Sequence, residues 1–91
     1  MKFCIAVGQA DRHVIEFSFN QLLGQLKISV NNHEVKRNRR LFNEPLLESH
    51  TLEVGADERI VVRIEKERKK LFGHKCRVFL NNRLYKCYDG V

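Results

Sequence analysis

Leu26-Lys27-Ile28-Ser29-Val30-Asn31-Asn32-His33-Glu34-Val35-Lys36-Arg37 is the stretch whose reading decides the fold. Two alternating runs flank Asn31-Asn32, and a two-residue hairpin loop of type I′ needs positive φ at both of its central positions. Asn enters that region more readily than any residue except Gly, so the pair reads as the tip of a β-hairpin. Uninterrupted counting from the tip puts Val30 opposite His33, Ile28 opposite Val35 and Leu26 opposite Arg37. Ser29–Glu34 and Lys27–Lys36 fall on the other face. One face is largely apolar and the other polar, as a half-buried antiparallel pair requires.

The unit recurs. Lys75–Leu80, Asn81-Asn82 and Arg83–Tyr88 repeat it 50 positions on. The same counting puts Val78 opposite Tyr85, Phe79 opposite Leu84 and Cys76 opposite Cys87. Upstream, Val14-Ile15-Glu16-Phe17 and Leu22-Leu23-Gly24 run parallel to Val62-Arg63-Ile64-Glu65 and Leu71-Phe72-Gly73, with a slightly longer loop in the second copy. The chain therefore reads as an internal duplication.

The remaining segments fill in both copies. Lys2–Val7 is a first strand ended by Gly8, and His13–Phe19 alternates with Ile15, Phe17 and Phe19 on one face. Lys36–Arg40 continues the returning strand, with Leu41-Phe42 as an apolar anchor. Pro45 cannot donate to a ladder, so Asn43–Ser49 reads as a loop or crossover. Thr51–Val54 is a short strand. Arg59–Lys66, with Ile60, Val62 and Ile64 on one face, is the candidate for the longest and most buried one. A helix over Glu65–Leu71 would lack an N-cap and run under two turns. The expected fold is all-β: seven or eight short strands in a sandwich of two antiparallel sheets, with a small closed barrel as the alternative.

Composition sets the class. Ninety-one residues suit one domain over 1–91, and 43% apolar with 31% charged residues is ordinary for a soluble globule. The net charge of +6 invites a polyanion as partner, but a basic surface kept for solubility has the same charge. Three cysteines, Cys4, Cys76 and Cys87, match no disulfide framework. The apolar run Phe3–Val7 is too short for a signal-peptide core, and no segment approaches the roughly 20 apolar residues of a membrane span. Together these point to a reducing, cytoplasmic setting.

With the repeat laid out, the chain resembles the Fas apoptotic inhibitory molecule domain. The likeness rests on Val14-Ile15-Glu16-Phe17, Gly24, Val30-Asn31-Asn32 and Phe42. It continues through Leu47, Thr51-Leu52-Glu53-Val54-Gly55, Ile60–Ile64 and Leu80-Asn81-Asn82, so that it spans roughly residues 13 to 88. The family usually carries a Trp after its first hairpin, where this chain has none, and Gly is commoner in the second slot of its turns. The resemblance implies a β-sandwich without an active site that works through protein contacts.

Catalytic motifs are absent from the sequence. None of Ser18, Ser29, Ser49 or Thr51 sits in a Gly-x-Ser-x-Gly elbow, no phosphate-cradling glycine loop occurs, and the acidic residues are scattered. No enzyme activity and no cofactor are expected. A zinc site built from His74, Cys76, Cys87 and Cys4 would lack the usual Cys-x₂₋₄-Cys or His-x₃₋₅-His spacing, so no metal is expected and the thiols read as small hydrophobes. A Cys76–Cys87 disulfide is disfavoured, because uninterrupted counting places them at a hydrogen-bonded pair with diverging Cβ atoms.

Two basic runs stand out: Lys36, Arg37, Arg39 and Arg40, then Lys66, Arg68, Lys69 and Lys70 with Lys75 beyond. They suit a polyanion, although Lys and Arg also protect edge strands from pairing with other chains. The arginine-rich turns of bacterial second-messenger readers need a following Asp/Asn-x-Ser-x-x-Gly segment, which is missing. Two readings follow. The first is a non-enzymatic module that binds an as yet unidentified protein through a sheet face or edge. The second is a small basic domain that binds nucleic acid or another polyanion through the Lys/Arg runs.

Overall fold

Each segment of period-two alternation is a strand in the computed structural model, which describes residues 1–20, 23–39, 46–69 and 73–90. Eight strands occur in chain order: β1 (Lys2–Val7), β2 (His13–Asn20), β3 (Gln25–Val30), β4 (His33–Arg39), β5 (Leu47–Val54), β6 (Ile60–Arg68), β7 (His74–Leu80) and β8 (Arg83–Gly90). They form two antiparallel four-stranded meanders, β1-β2-β3-β4 and β5-β6-β7-β8, and neither closes into a barrel. The chain divides into two compact units, Met1–Glu44 and Pro45–Val91, with one sheet in each. No helix among the described residues is long and apolar enough to cross a membrane.

Both asparagine pairs turn the chain as the sequence requires. Asn31 and Asn32 have φ of 50° and 66°, Asn81 and Asn82 of 50° and 68°. The first asparagine of each pair also grips a third strand. Val14 N donates to Asn31 Oδ1 (2.9 Å) while Asn31 N donates to Val14 O (2.8 Å). Val61 and Asn81 repeat both bonds, at 2.9 Å and 2.9 Å. The side chain thus extends the neighbouring ladder by one rung, which Gly cannot do. That contact accounts for Asn in the first slot; in the second slot Asn32 supplies its tolerance of positive φ, and Asn82 also accepts a bond from Arg63 through its side chain.

Past the turns, the structure corrects the predicted pairing. Ser29 does face Glu34, but Ile28 then faces Lys36 and Leu26 faces Asn38, so Val35 is an extra residue with no partner. The second hairpin breaks at the same place: Phe79 faces Leu84, Val78 faces Lys86, and Tyr85 is the extra residue. A β-bulge of this kind adds one residue to one strand, and each side chain beyond it changes face. Arg37 therefore faces Lys27 rather than Leu26, and Cys76 faces Tyr88 rather than Cys87.

Other boundaries move as well. β5 begins at Leu47, so Leu47–Ser49 is strand rather than loop, held by ladder pairing to Lys66 and its neighbours. Residues 65–68, part of the helix considered above, extend β6. The pairings also shift the repeat by one residue upstream: Ile15 lies opposite Val30 as Val62 lies opposite Leu80, which equates Ile15 with Val62 and Phe17 with Ile64. The expectations for Leu22, Arg40, Leu41, Phe42, Pro45, Lys70, Leu71 and Phe72 lie outside the described residues.

Each sheet buries one face. In the first, Phe3, Ile5, Ile15, Phe17, Phe19, Leu26 and Ile28 are buried, and the Phe3 and Phe17 rings stack with centroids 4.8 Å apart. In the second, the buried face holds Val54, Val62, Ile64 and Val78, but also Cys76, His50, Lys66 and His74.

The two asparagines of a turn are expected to respond differently to glycine. Asn31→Gly removes the bond to Val14 and should lower unfolding free energy by about 1 kcal/mol, whereas Asn32→Gly relieves the positive-φ cost and should be neutral or slightly stabilising. Urea unfolding of the two variants checks this, and equal losses would show that the side-chain bond contributes nothing.

Candidate functional site

The charged group on the second sheet's buried face is built around one row of its ladder. Glu48, Lys66, Cys76 and Tyr88 lie opposite one another across β5, β6, β7 and β8. His50 sits two residues along β5 from Glu48, on the same face. Its Nε2 lies 2.8 Å from Glu48 Oε1, and Lys66 Nζ lies 3.8 Å from the other carboxylate oxygen. The Lys66 and His50 side chains are each 2% exposed and that of Glu48 11%. Lys66 is thus removed from the basic surface that the sequence predicted. Its parity with Ile60, Val62 and Ile64 on β6 already placed it inward, and that was the available signal.

The first half shows what this row replaces. Met1 exchanges both backbone bonds with Phe19, so Met1, Phe19 and Leu26 stand where Glu48, Lys66 and Cys76 stand in the second half, and Phe3 stands where His50 does. One copy filled this end of the face with hydrocarbon and the other with charge. Isolated charges are costly to bury, and a carboxylate shared between an imidazole and an ammonium offsets that cost.

Cys76 is fully buried, and burial pushes its thiol up to about 12, against the opposing pull of the Lys66 ammonium. Such a thiol carries its proton throughout the physiological range and is no nucleophile. Cys4 and Cys87 are exposed, and none of the three is in a disulfide. The bulge puts Cys87 opposite Arg77 on the exposed face, so His74, Cys76 and Cys87 do not converge. Among the described residues no group of three His, Cys, Asp or Glu side chains is placed to hold a metal ion.

The two basic runs fare differently. The second disperses: Lys66 is buried, Arg68 lies opposite His74, and Lys69 Nζ donates to Asp89 Oδ1 at 2.9 Å. That bond holds the Asp89 carboxyl below its usual range. Lys70 is outside the described residues. In the first run Lys36 shares the side of Ile28, while Arg37 and Arg39 share the exposed face with Lys27 and Gln25; Arg40 is outside the described residues. The bulge also brings Glu34 and Arg37 to one side despite their i,i+3 spacing. Arg37 Nε and Nη2 donate to the two Glu34 oxygens at 2.8 and 2.9 Å.

The ladder then gathers cations that the sequence leaves far apart. Lys2 faces Ser18, Ser18 faces Lys27, and Lys27 faces Arg37, giving one exposed row across all four strands with Arg39 two residues on. Lys2 and Lys27 belonged to neither run, because membership of a sheet face shows only once the strand register is known.

The second sheet's exposed face has another character. The Arg63 guanidinium lies 4.2 Å over the Phe79 ring, and its Nη1 donates to Asn82 Oδ1 at 3.1 Å. Leu84 faces Phe79, and Leu84 and Tyr85 are 57% and 44% exposed. The equivalent residues of the first half are Glu16, Ser29, Glu34 and Val35.

Two outcomes test the buried row. Lys66→Met leaves the Glu48 carboxylate without its ammonium and should cost about 3 kcal/mol, whereas Glu48→Met, His50→Phe and Lys66→Phe together, copying the first half, should return stability to within about 1 kcal/mol of the wild type or above it. Thermal and urea unfolding report both. For Cys76 the folded thiol ionises near 12 against an ordinary value of 9.0. Below pH 9 both states are protonated; above it only the unfolded thiol ionises, so stability should fall as pH rises toward 12, and Cys76→Ala should flatten that part of the slope. Alkylation of native protein at neutral pH should label Cys4 and Cys87 and spare Cys76. Comparisons with protein-family models, with curated proteins and with solved structures found no match.

Proposed function

We propose that the chain is a non-enzymatic interaction module that binds another protein through the exposed face and edge of its second sheet. The observation that carries this is the group at the β7–β8 hairpin: Arg63 stacked on Phe79, beside the exposed Leu84 and Tyr85. Aromatic residues and Arg are the types enriched at the centres of protein interfaces, where a few of them supply most of the affinity. The first half keeps Glu16, Ser29 and Glu34 at the matching places, so the apolar group is not demanded by the fold. β8 is also an edge strand exposed along most of its length, with backbone groups open to an added strand. The resemblance to the Fas apoptotic inhibitory molecule domain supports the same direction, since it implies a β-domain that works through protein contacts. The unbridged cysteines suit a reducing, cytoplasmic setting.

The test uses the chain immobilised as bait, wild type against Leu84→Arg/Tyr85→Ser. Both positions are exposed, so the variant should melt within a few degrees of the wild type. A partner retained by the wild type should bind the variant at least about tenfold more weakly, as loss of a hot-spot contact requires. If the same proteins bind equally well to both baits, the patch is not the interface.

A further inference from the structure

We propose that the exposed face of the first sheet binds the phosphodiester backbone of a nucleic-acid duplex. This surface is separate from the protein-binding patch, and neither proposal depends on the other.

Lys2, Lys27 and Arg37 occupy one row, with Ser18 between the first two and no acidic residue in it. Arg39 follows one row on, beside Asn20 and Gln25. All four cations are exposed. Strands in a sheet lie about 4.8 Å apart, so the row extends roughly 14 Å. Along the axis of a duplex each strand advances about 3.4 Å per phosphate, so a surface of that breadth lies over about four phosphate positions, which the three cations of the row and Arg39 one row on can approach.

The second half is an internal control for chance. At the matching positions it carries Ser49, Glu65, Arg77 and Cys87, then Glu67, Lys75 and Asp89. Its cations are neutralised in place, as where Arg77 Nη2 meets Glu67 Oε2 at 3.1 Å. In these rows the second copy therefore mixes acids with cations, whereas the first carries Lys2, Lys27, Arg37 and Arg39 with no acid among them, Arg37 being paired to Glu34 of the neighbouring row.

The rest of the face narrows the ligand. Among the described residues it presents no aromatic ring, so it lacks the stacking platforms with which proteins hold single strands. Contact through Lys and Arg to phosphate alone suits a duplex bound without sequence preference. Glu34 restrains the site, because its carboxylate occupies the Arg37 fork in the free protein.

The experiment is fluorescence anisotropy with a labelled mixed-sequence DNA duplex about two helical turns long. Wild type should bind at low salt, with affinity falling as salt rises at a log–log slope of about −3, as three to four phosphate contacts require. Lys27→Glu/Arg39→Glu should weaken binding at least about tenfold and flatten the slope by roughly 2. Arg59→Glu/Arg83→Glu makes the same change in net charge elsewhere and should leave affinity within about twofold. Glu34→Gln, which keeps the shape and frees Arg37, should tighten binding about two- to threefold, a test that holds even if the charge-reversed face folds poorly. The proposal is overturned if wild type does not bind the duplex, if the two double variants lose affinity equally, or if Glu34→Gln leaves binding unchanged. Tighter binding to heparin or to phosphatidylserine vesicles than to the duplex also overturns it, and would assign the face to a sulfated polysaccharide or a lipid surface.

Discussion

One inserted residue per hairpin governs what this protein presents to its surroundings. Val35 and Tyr85 take no partner in the ladder, and each side chain after them on its strand faces the opposite way from where simple alternation would put it. Arg37 reaches the Lys27 face and meets Glu34 because of the first bulge. Cys87 leaves the buried side because of the second. Bulges of this kind persist where a strand must re-aim side chains or end pairing at an edge, and here they sit on β4 and β8, one outermost strand of each sheet. The bulged residues are also among the exposed large apolar side chains, which suits positions that no neighbouring strand covers.

Duplication makes the divergence measurable. Two meanders with the same turns and the same bulges differ at three places: the exposed row of cations in the first, the Arg63–Phe79 patch in the second, and the buried Glu48–His50–Lys66 group in the second. Strand order, turns and bulge positions are common to both, so these differences lie in the side chains that the shared register presents. The charged buried group is the costliest of them. Its first-half counterpart, Met1, Phe3 and Phe19, shows that the fold accepts hydrocarbon there.

The sequence made the strands and turns legible because they rest on local chemistry. Alternation in His13–Phe19 and Arg59–Lys66, and asparagine pairs able to take positive φ, needed no knowledge of distant partners. The bulges were not legible, because Val35 and Tyr85 are apolar residues that continue an alternating pattern while leaving the ladder. β5 was cut short since Glu48 and Ser49 beside Pro45 read as polar loop, although Glu48 points inward to Lys66. The basic site failed for a related reason. Runs along the chain are poor guides in a sheet, where consecutive residues face opposite ways and neighbours on a face come from different strands. On that count Lys66 is buried, Lys36 is exposed on the side of Ile28 rather than of Arg37, and Lys2 and Lys27 join the row.

The asparagine clamp has a consequence for the order in which the chain acquires structure. By holding Val14 and Val61 to the hairpin tips, Asn31 and Asn81 join three consecutive strands at one point, and every ladder in both sheets links strands adjacent in the chain. Contacts so close in sequence cost little loop-closure entropy, which favours rapid folding for an all-β protein. During synthesis, β1 to β4 hold all their ladder partners by Arg39, before any residue of β5 has been added.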